Sequence, residues 1–139
     1  MHTDRPTHRI HTARGVILLA FLVFACLLPV ARAATKVVTD ADKDNMVHLK
    51  VGDTLEVRLK ANPSTGYMWY ITKESTPLMK LVHQTQTDAA EPGVGRPVVQ
   101  IFIFEPRQSG DGTLRLHYVR SWDPPAPDEE RFEIHVVVE

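Results

Sequence analysis

The sequence predicts an all-β sandwich folded as one domain, on three observations. Apolar and polar residues alternate in short runs, turn-forming residues separate the runs, and no long apolar stripe recurs at helical spacing. The chain has 139 residues, enough for one modest core and too few for two independent ones. Hydrophobic residues make up 43% and charged residues 24% of it, a balance that excludes a disordered chain.

A segment of a different kind precedes the first run. Arg5, Arg9 and Arg14 outnumber one acid, Asp4; an apolar stretch runs from Gly15 to Leu28, and Ala31-Arg32-Ala33 follows. A basic start, an apolar centre and a small-x-small end are the layout of a secretory signal peptide, and the centre falls short of the ~20 residues that span a bilayer. The expectation is a signal peptide over 1–33, cleavage after Ala33, and an exported domain over 34–139, periplasmic or secreted, with no membrane span. A second reading takes Val23-Phe24-Ala25-Cys26 as a lipoprotein signal with Cys26 as the acylated terminus. Cys26 is the single cysteine, so cleavage at Ala33 leaves a domain without a disulfide, a thiol nucleophile or a thiolate ligand.

From Ala34 onward there are 12 Lys and Arg against 16 Asp and Glu, a formal charge of −4. No basic stripe with interleaved aromatics remains, which removes the electrostatic footing for a nucleic-acid partner.

Each strand is justified by its own alternation. Met46 to Val51 places Val47, Leu49 and Val51 on one face, and Gly52-Asp53 turns the chain. Thr54 to Lys60 places Leu55, Val57 and Leu59 on one face, so the two runs imply a first hairpin. Asn62-Pro63-Ser64-Thr65-Gly66 is a loop, and Tyr67 to Ile71 is a compact strand whose Trp69 is the natural core aromatic. Met79 to His83 is a weaker strand, followed by a long loop over Asp88 to Pro97, rich in Ala, Gly and Pro. Val98 to Phe104 is apolar enough for a central strand covered on both faces.

Gly110-Asp111-Gly112 reads as a turn, after which Leu114, Leu116 and Tyr118 point inward. The prolines of Arg120 to Pro127 cannot donate to a ladder and mark a third prominent loop. The last strand places Phe132, Ile134, Val136 and Val138 inward and Glu133 and His135 outward. About seven strands in this length suggest an immunoglobulin-like β-sandwich.

Enzyme chemistry finds no foothold. His48, His83, His117 and His135 are scattered, and Glu133 with His135 lacks a third ligand for a metal. Asp123, Asp128, Glu129 and Glu130 read as a solvated loop without calcium-loop spacing. No serine stands in a Gly-x-Ser-x-Gly elbow. The expectation is a non-enzyme without cofactor or metal.

Periodicity alone stops at an exported β-sandwich, but the three loops carry Asn62-Pro63-Ser64-Thr65-Gly66, Gly93-Val94-Gly95-Arg96 and Arg120-Ser121-Trp122 in that order. This set resembles the chagasin family of cysteine-protease inhibitors, in which Asn-Pro-Thr-Thr-Gly, Gly-x-Gly-Gly and Arg-Pro-Trp loops follow one another on an immunoglobulin-like fold. The resemblance extends over nearly all of the chain after Ala33, through Tyr67-Met68-Trp69-Tyr70 to Glu130-Arg131-Phe132. It implies a monomeric, reversible, tight-binding inhibitor that occludes the active-site cleft of papain-like, cathepsin L-like cysteine proteases.

Such a cleft holds a thiolate–imidazolium pair beneath a groove for an extended peptide, so a plug must approach without presenting a cleavable bond. The resemblance implies protease-binding roles for Asn62, Pro63, Ser64, Thr65, Gly66, Gly93, Gly95, Arg120 and Trp122. Asn62, Pro63 and Gly66 shape the turn, and the hydroxyls of Ser64 and Thr65 point outward over the catalytic pair. Gly93 and Gly95 let the middle loop run close to the enzyme. Trp122 is a rigid anchor, and Arg120 stands ready for a carboxylate or a carbonyl.

The sequence departs from the family pattern at three places. Ser64 replaces Thr and keeps the hydroxyl; Arg96 replaces a Gly, where a side chain resists positive φ; Ser121 replaces a Pro that would stiffen the loop. Fold alone does not fix function, so a secreted or envelope-associated immunoglobulin-like binding or adhesion module is the alternative, with a structural envelope subunit behind it.

Overall fold

Period-two alternation builds two four-stranded sheets whose apolar faces meet. The computed structural model describes residue 1 and residues 32–87, 95–124 and 126–139. The expected signal peptide, with Cys26, lies almost wholly outside them, as does Gly93. One sheet holds β1 (Thr35–Thr39), β3 (Thr54–Ala61), β6 (Val98–Pro106) and β5 (Met79–Gln86) in the order β1-β3-β6-β5. The other holds β2 (Met46–Leu49), β8 (Glu130–Val138), β7 (Gly110–Val119) and β4 (Met68–Ile71) in the order β2-β8-β7-β4. The fold is the expected all-β sandwich. Its extra strand is β1, where Val38 alone is buried, so no alternation announces it.

The inward residues are those that the alternation selects. Leu55, Val57 and Leu59 of β3, Leu114 and Leu116 of β7, and Phe132, Ile134, Val136 and Val138 of β8 are buried together with Trp69. Each fully buried side chain of this size contributes roughly 1.5–3 kcal/mol. Val51, expected inward, is exposed, because β2 ends at Leu49. The residues Ala33–Glu139 form one compact unit, and every residue of the core cluster lies between Val38 and Val138. This stretch therefore carries a complete core of its own. No described helix is long and apolar enough to cross a membrane.

Three expectations are corrected. The runs at 46–51 and 54–60 do not form a hairpin: β2 pairs in parallel with β8, and β3 pairs with β1 and β6. The turn between them, closed by the Asp53 N–H donating to the Lys50 carbonyl at 2.9 Å, carries the chain from one sheet to the other. Alternation states which face is inward, and both routes satisfy it equally.

β6 sits between β3 and β5, but only one of its faces is covered. Val98, Gln100, Phe102 and Phe104 are buried, while Val99, Ile101 and Ile103 are half-buried on the outer face. Lastly, Gly110-Asp111-Gly112 is not a turn; it opens β7 and pairs with Val136 to Val138. Gly112 is there for space, since a Cβ at this position would lie 2.4 Å from the Thr76 hydroxyl oxygen.

Strand register gathers the three loops. Ala61 pairs with Val98, Met68 with Val119, and Tyr118 with Glu130. The connections after β3, β5 and β7 therefore leave from the same end of the sandwich.

Candidate functional site

The loop after β3 is a closed knot of local hydrogen bonds. A bridge between Asn62 and Tyr67 pinches its base. Pro63–Thr65 makes one 3-10 turn with proline in its first turn, where the missing N–H costs nothing. Gly66 leaves that turn at φ 83°, ψ −8°, a left-handed conformation that glycine adopts without strain. The N–H of Thr65 donates to the Asn62 carbonyl at 3.0 Å and that of Gly66 to the Pro63 carbonyl at 2.9 Å.

Ser64 and Thr65 are exposed, yet their hydroxyl protons turn back into the loop. Ser64 Oγ donates to Asn62 Oδ1 at 2.6 Å and Thr65 Oγ1 to the Asn62 carbonyl at 2.6 Å. A hydroxyl that donates in this way still offers lone pairs to an incoming donor. The tip thus presents acceptors, with its protons spent on the shape of the loop.

Asn62 is the hub of the site. Its backbone N–H donates to the Tyr118 phenol oxygen at 2.8 Å and its Nδ2 to the Gly95 carbonyl at 3.1 Å. One side chain and one amide thereby tie the first loop to β7 and to the described end of the middle loop. Gly95 has φ +85°, and among the described residues Asp44 is the one non-glycine with positive φ. The left-handed turn falls on Gly95, and Arg96 in the place of a family glycine carries no such strain.

The third loop packs directly on the first. Trp122 is 69% exposed, but its indole lies on Gly66: a Cβ there would sit 2.3 Å from Cη2 and 2.6 Å from Cζ2. Gly66 is therefore required twice, for its φ and for this contact. Arg120 is turned onto the first loop, with 37% of its side chain still exposed. Its Nε donates to the Thr65 carbonyl at 3.0 Å, its guanidinium lies 4.5 Å above the Tyr67 ring, and Nη1 stands 3.5 Å from Asp123 Oδ2. The Asp123 N–H donates to the Arg120 carbonyl at 3.2 Å. That bond closes the turn around Ser121, which supplies part of the stiffness a proline would give.

Two elements of the site escaped the sequence. Tyr118 is read there as an inward residue; it packs at a tilt between Tyr67, at 5.4 Å, and Trp69, at 5.0 Å, and holds Asn62 with its hydroxyl. The signal was present, because an inward tyrosine needs a partner for its phenol. Glu129, read as part of a solvated loop, accepts the Ala126 N–H at 2.7 Å and lies 3.2 Å from His117 Nδ1. It holds the base of the third loop against β7. Among the described residues no group of three or more His, Cys, Asp or Glu is placed to hold a metal.

Comparison with known proteins agrees with this geometry. Residues 48–136 match the family described as "Chagasin family peptidase inhibitor I42". The chain belongs to the chagasin family. Amoebiasin-2 of Entamoeba histolytica is 30% identical over 105 residues, which cover 74% of this chain and 85% of the relative. Chagasin of Trypanosoma cruzi is 30% identical over 103 residues, covering 71% of this chain and 94% of the relative. The crystal structure of a cysteine protease inhibitor from Entamoeba histolytica superposes with a TM-score of 0.69 at 26% identity, over 78% of this chain and 98% of that one. As a chagasin-family member the chain is a peptidase inhibitor and not an enzyme, and among the described residues Asn62 to Gly66, Gly95 and Arg120 to Trp122 meet at one end of the sandwich.

Proposed function

We propose that this chagasin-family inhibitor acts on papain-like cysteine proteases, and that it does so reversibly by seating the joined tips of its first and third loops in the active-site cleft. The observation that carries the mechanism is the brace between the two loops: Trp122 on Gly66 and the Arg120 Nε–Thr65 carbonyl bond. Binding orders little that is not already ordered, so less of the interaction energy is lost to entropy.

The same brace accounts for resistance to cleavage. A papain-like site attacks an extended backbone, whereas Pro63–Thr65 is a 3-10 turn whose Thr65 and Gly66 amides are already bonded inside the loop. To become a substrate, the loop would have to unwind and release Trp122. The acceptor lone pairs of Ser64 and Thr65 face a site rich in donors, and the free side of the Trp122 indole supplies the apolar anchor. Gly95, held by Asn62 Nδ2, brings the middle loop to the opposite side of the cleft.

Export to the periplasm or the cell exterior is part of this reading, with processing after Ala33. It is supported by the basic, apolar and small-x-small order of residues 1–33. The test of function is a titration of papain and of a cathepsin L-like enzyme with the domain Ala34 to Glu139, read as residual activity on a fluorogenic peptide. Stoichiometric, reversible loss of activity is expected. Full activity at micromolar inhibitor would overturn the proposal.

A further inference from the structure

Ala34 and Asp53 meet at the end of the sandwich opposite the three loops, separated from them by the length of β3, roughly 27 Å. The Ala34 N–H donates to Asp53 Oδ1 at 2.9 Å, and the Ala34 carbonyl accepts the Thr54 N–H at 2.8 Å. The other carboxylate oxygen of Asp53 accepts the Lys50 N–H at 2.8 Å. Ala34 is thus gripped through both of its backbone groups, in the register that carries the next residue into the Thr35↔Thr54 pair of β1 and β3. The bond on its N-terminal side is the one at which the signal reading places the cut.

We propose that Asp53 is a capture site for the chain's own α-ammonium group, created when the precursor is cleaved between Ala33 and Ala34. Water supplies the balance of that step: the amide bond breaks, its carbonyl carbon becomes the carboxylate of Ala33, and the Ala34 nitrogen gains protons to become an ammonium. A neutral donor with one proton becomes a cation with three, already within hydrogen-bond distance of a carboxylate, and charge-assisted bonds of this kind are shorter and stronger than neutral ones. Lys50 is the charged neighbour that acts on the same carboxylate, and its backbone N–H occupies the far oxygen, leaving Oδ1 to the terminus. The inference rests on the export reading for the position of the cut and is independent of the inhibitory mechanism.

Its consequence is a register-specific lock on β1. A cut one residue later removes the captured group, and a cut one residue earlier leaves the charge displaced from Asp53. The amine carries its charge only below the α-amino range, so the charge-assisted bond to Asp53 is present at lower pH and is lost as the amine gives up its proton.

The test compares three preparations of the domain: Ala34 to Glu139 with a free α-amine, the same chain Nα-acetylated, and the chain extended by Ala33. The free-amine form is expected to melt ~2 °C above the other two at pH 6. The difference should close as pH rises past the α-amino range and be absent in an Asp53→Asn background. Equal melting of all three forms at pH 6 overturns the capture. N-terminal mass measurement on the exported protein addresses the other premise: a first residue other than Ala34 overturns the cleavage reading, and with it capture in the cell.

Discussion

Arg120 and Trp122 stand two residues apart in one loop and do different work. Trp122 keeps a free indole face while its other side rests on Gly66, and in the proposed mechanism it is the contact residue; Arg120 directs its guanidinium to Thr65, Tyr67 and Asp123, and there it is the positioning residue. The two roles separate in kinetics. Trp122→Ala removes a central anchor and should weaken inhibition by about 2 kcal/mol, or ~30-fold, mainly through faster dissociation. Arg120→Lys keeps the charge but loses the planar fork that both stacks and donates. It lowers the fraction of braced inhibitor, so association should slow several-fold while dissociation stays near wild type. Stopped-flow association and jump-dilution release on one protease distinguish the two patterns; faster release with unchanged association for Arg120→Lys would make it a direct contact.

The cross-sheet pair behind the first loop shows how strands hold the site. Gln100 is 1% exposed; its Oε1 accepts the Trp69 N–H at 2.8 Å and its Nε2 donates to the Trp69 carbonyl at 3.4 Å. Trp69 Nε1 donates in turn to the Lys60 carbonyl at 2.8 Å, so β3, β4 and β6 are fastened together just where the loop between β3 and β4 departs. Gln100→Leu leaves the Trp69 N–H buried without a partner and should cost about 1–3 kcal/mol in urea unfolding. Inhibition should weaken with it, because the first loop inherits the placement of Trp69. An unchanged urea midpoint would remove Gln100 from this role.

At the scale of the whole molecule, Asp53 is one of two carboxylates among the described residues, with Glu74, through which folding couples to acid. The N–H donors of Ala34 and Lys50 hold the Asp53 carboxyl below the usual carboxylate range. A carboxyl depressed by folding adds stability that is present above its unfolded pKa and disappears as pH falls through the folded value. Asp53→Asn should therefore melt below wild type at pH 7, and the two curves should converge in strong acid. A difference that persisted unchanged at pH 2 would assign the loss to packing rather than to charge. This carboxylate lies at the far end from the inhibitory loops, so the variant should keep its inhibition below its own melting point.

By itself the sequence determined most of the residues that face inward, Val51 excepted, because alternation at period two is a local property that any sandwich partner must respect. It also determined the loops where Pro and Gly cluster with other turn formers, as at Asn62 to Gly66, though not at Gly110 and Gly112, which stand inside the β7 ladder, and the order of three loop motifs was sufficient to show the family resemblance. Tertiary structure decided the partners. Whether the run at 46–51 joins the run at 54–60 or crosses to β8 depends on closing the chain across almost the whole domain, and alternation is blind to that choice. The same holds within the site. The bonds that turn Arg120 onto the first loop and make Asn62 a hub join residues 55, 56 and 33 positions apart. A side chain with several donors takes whichever acceptor the folded chain brings to it, and no local pattern records which one that is.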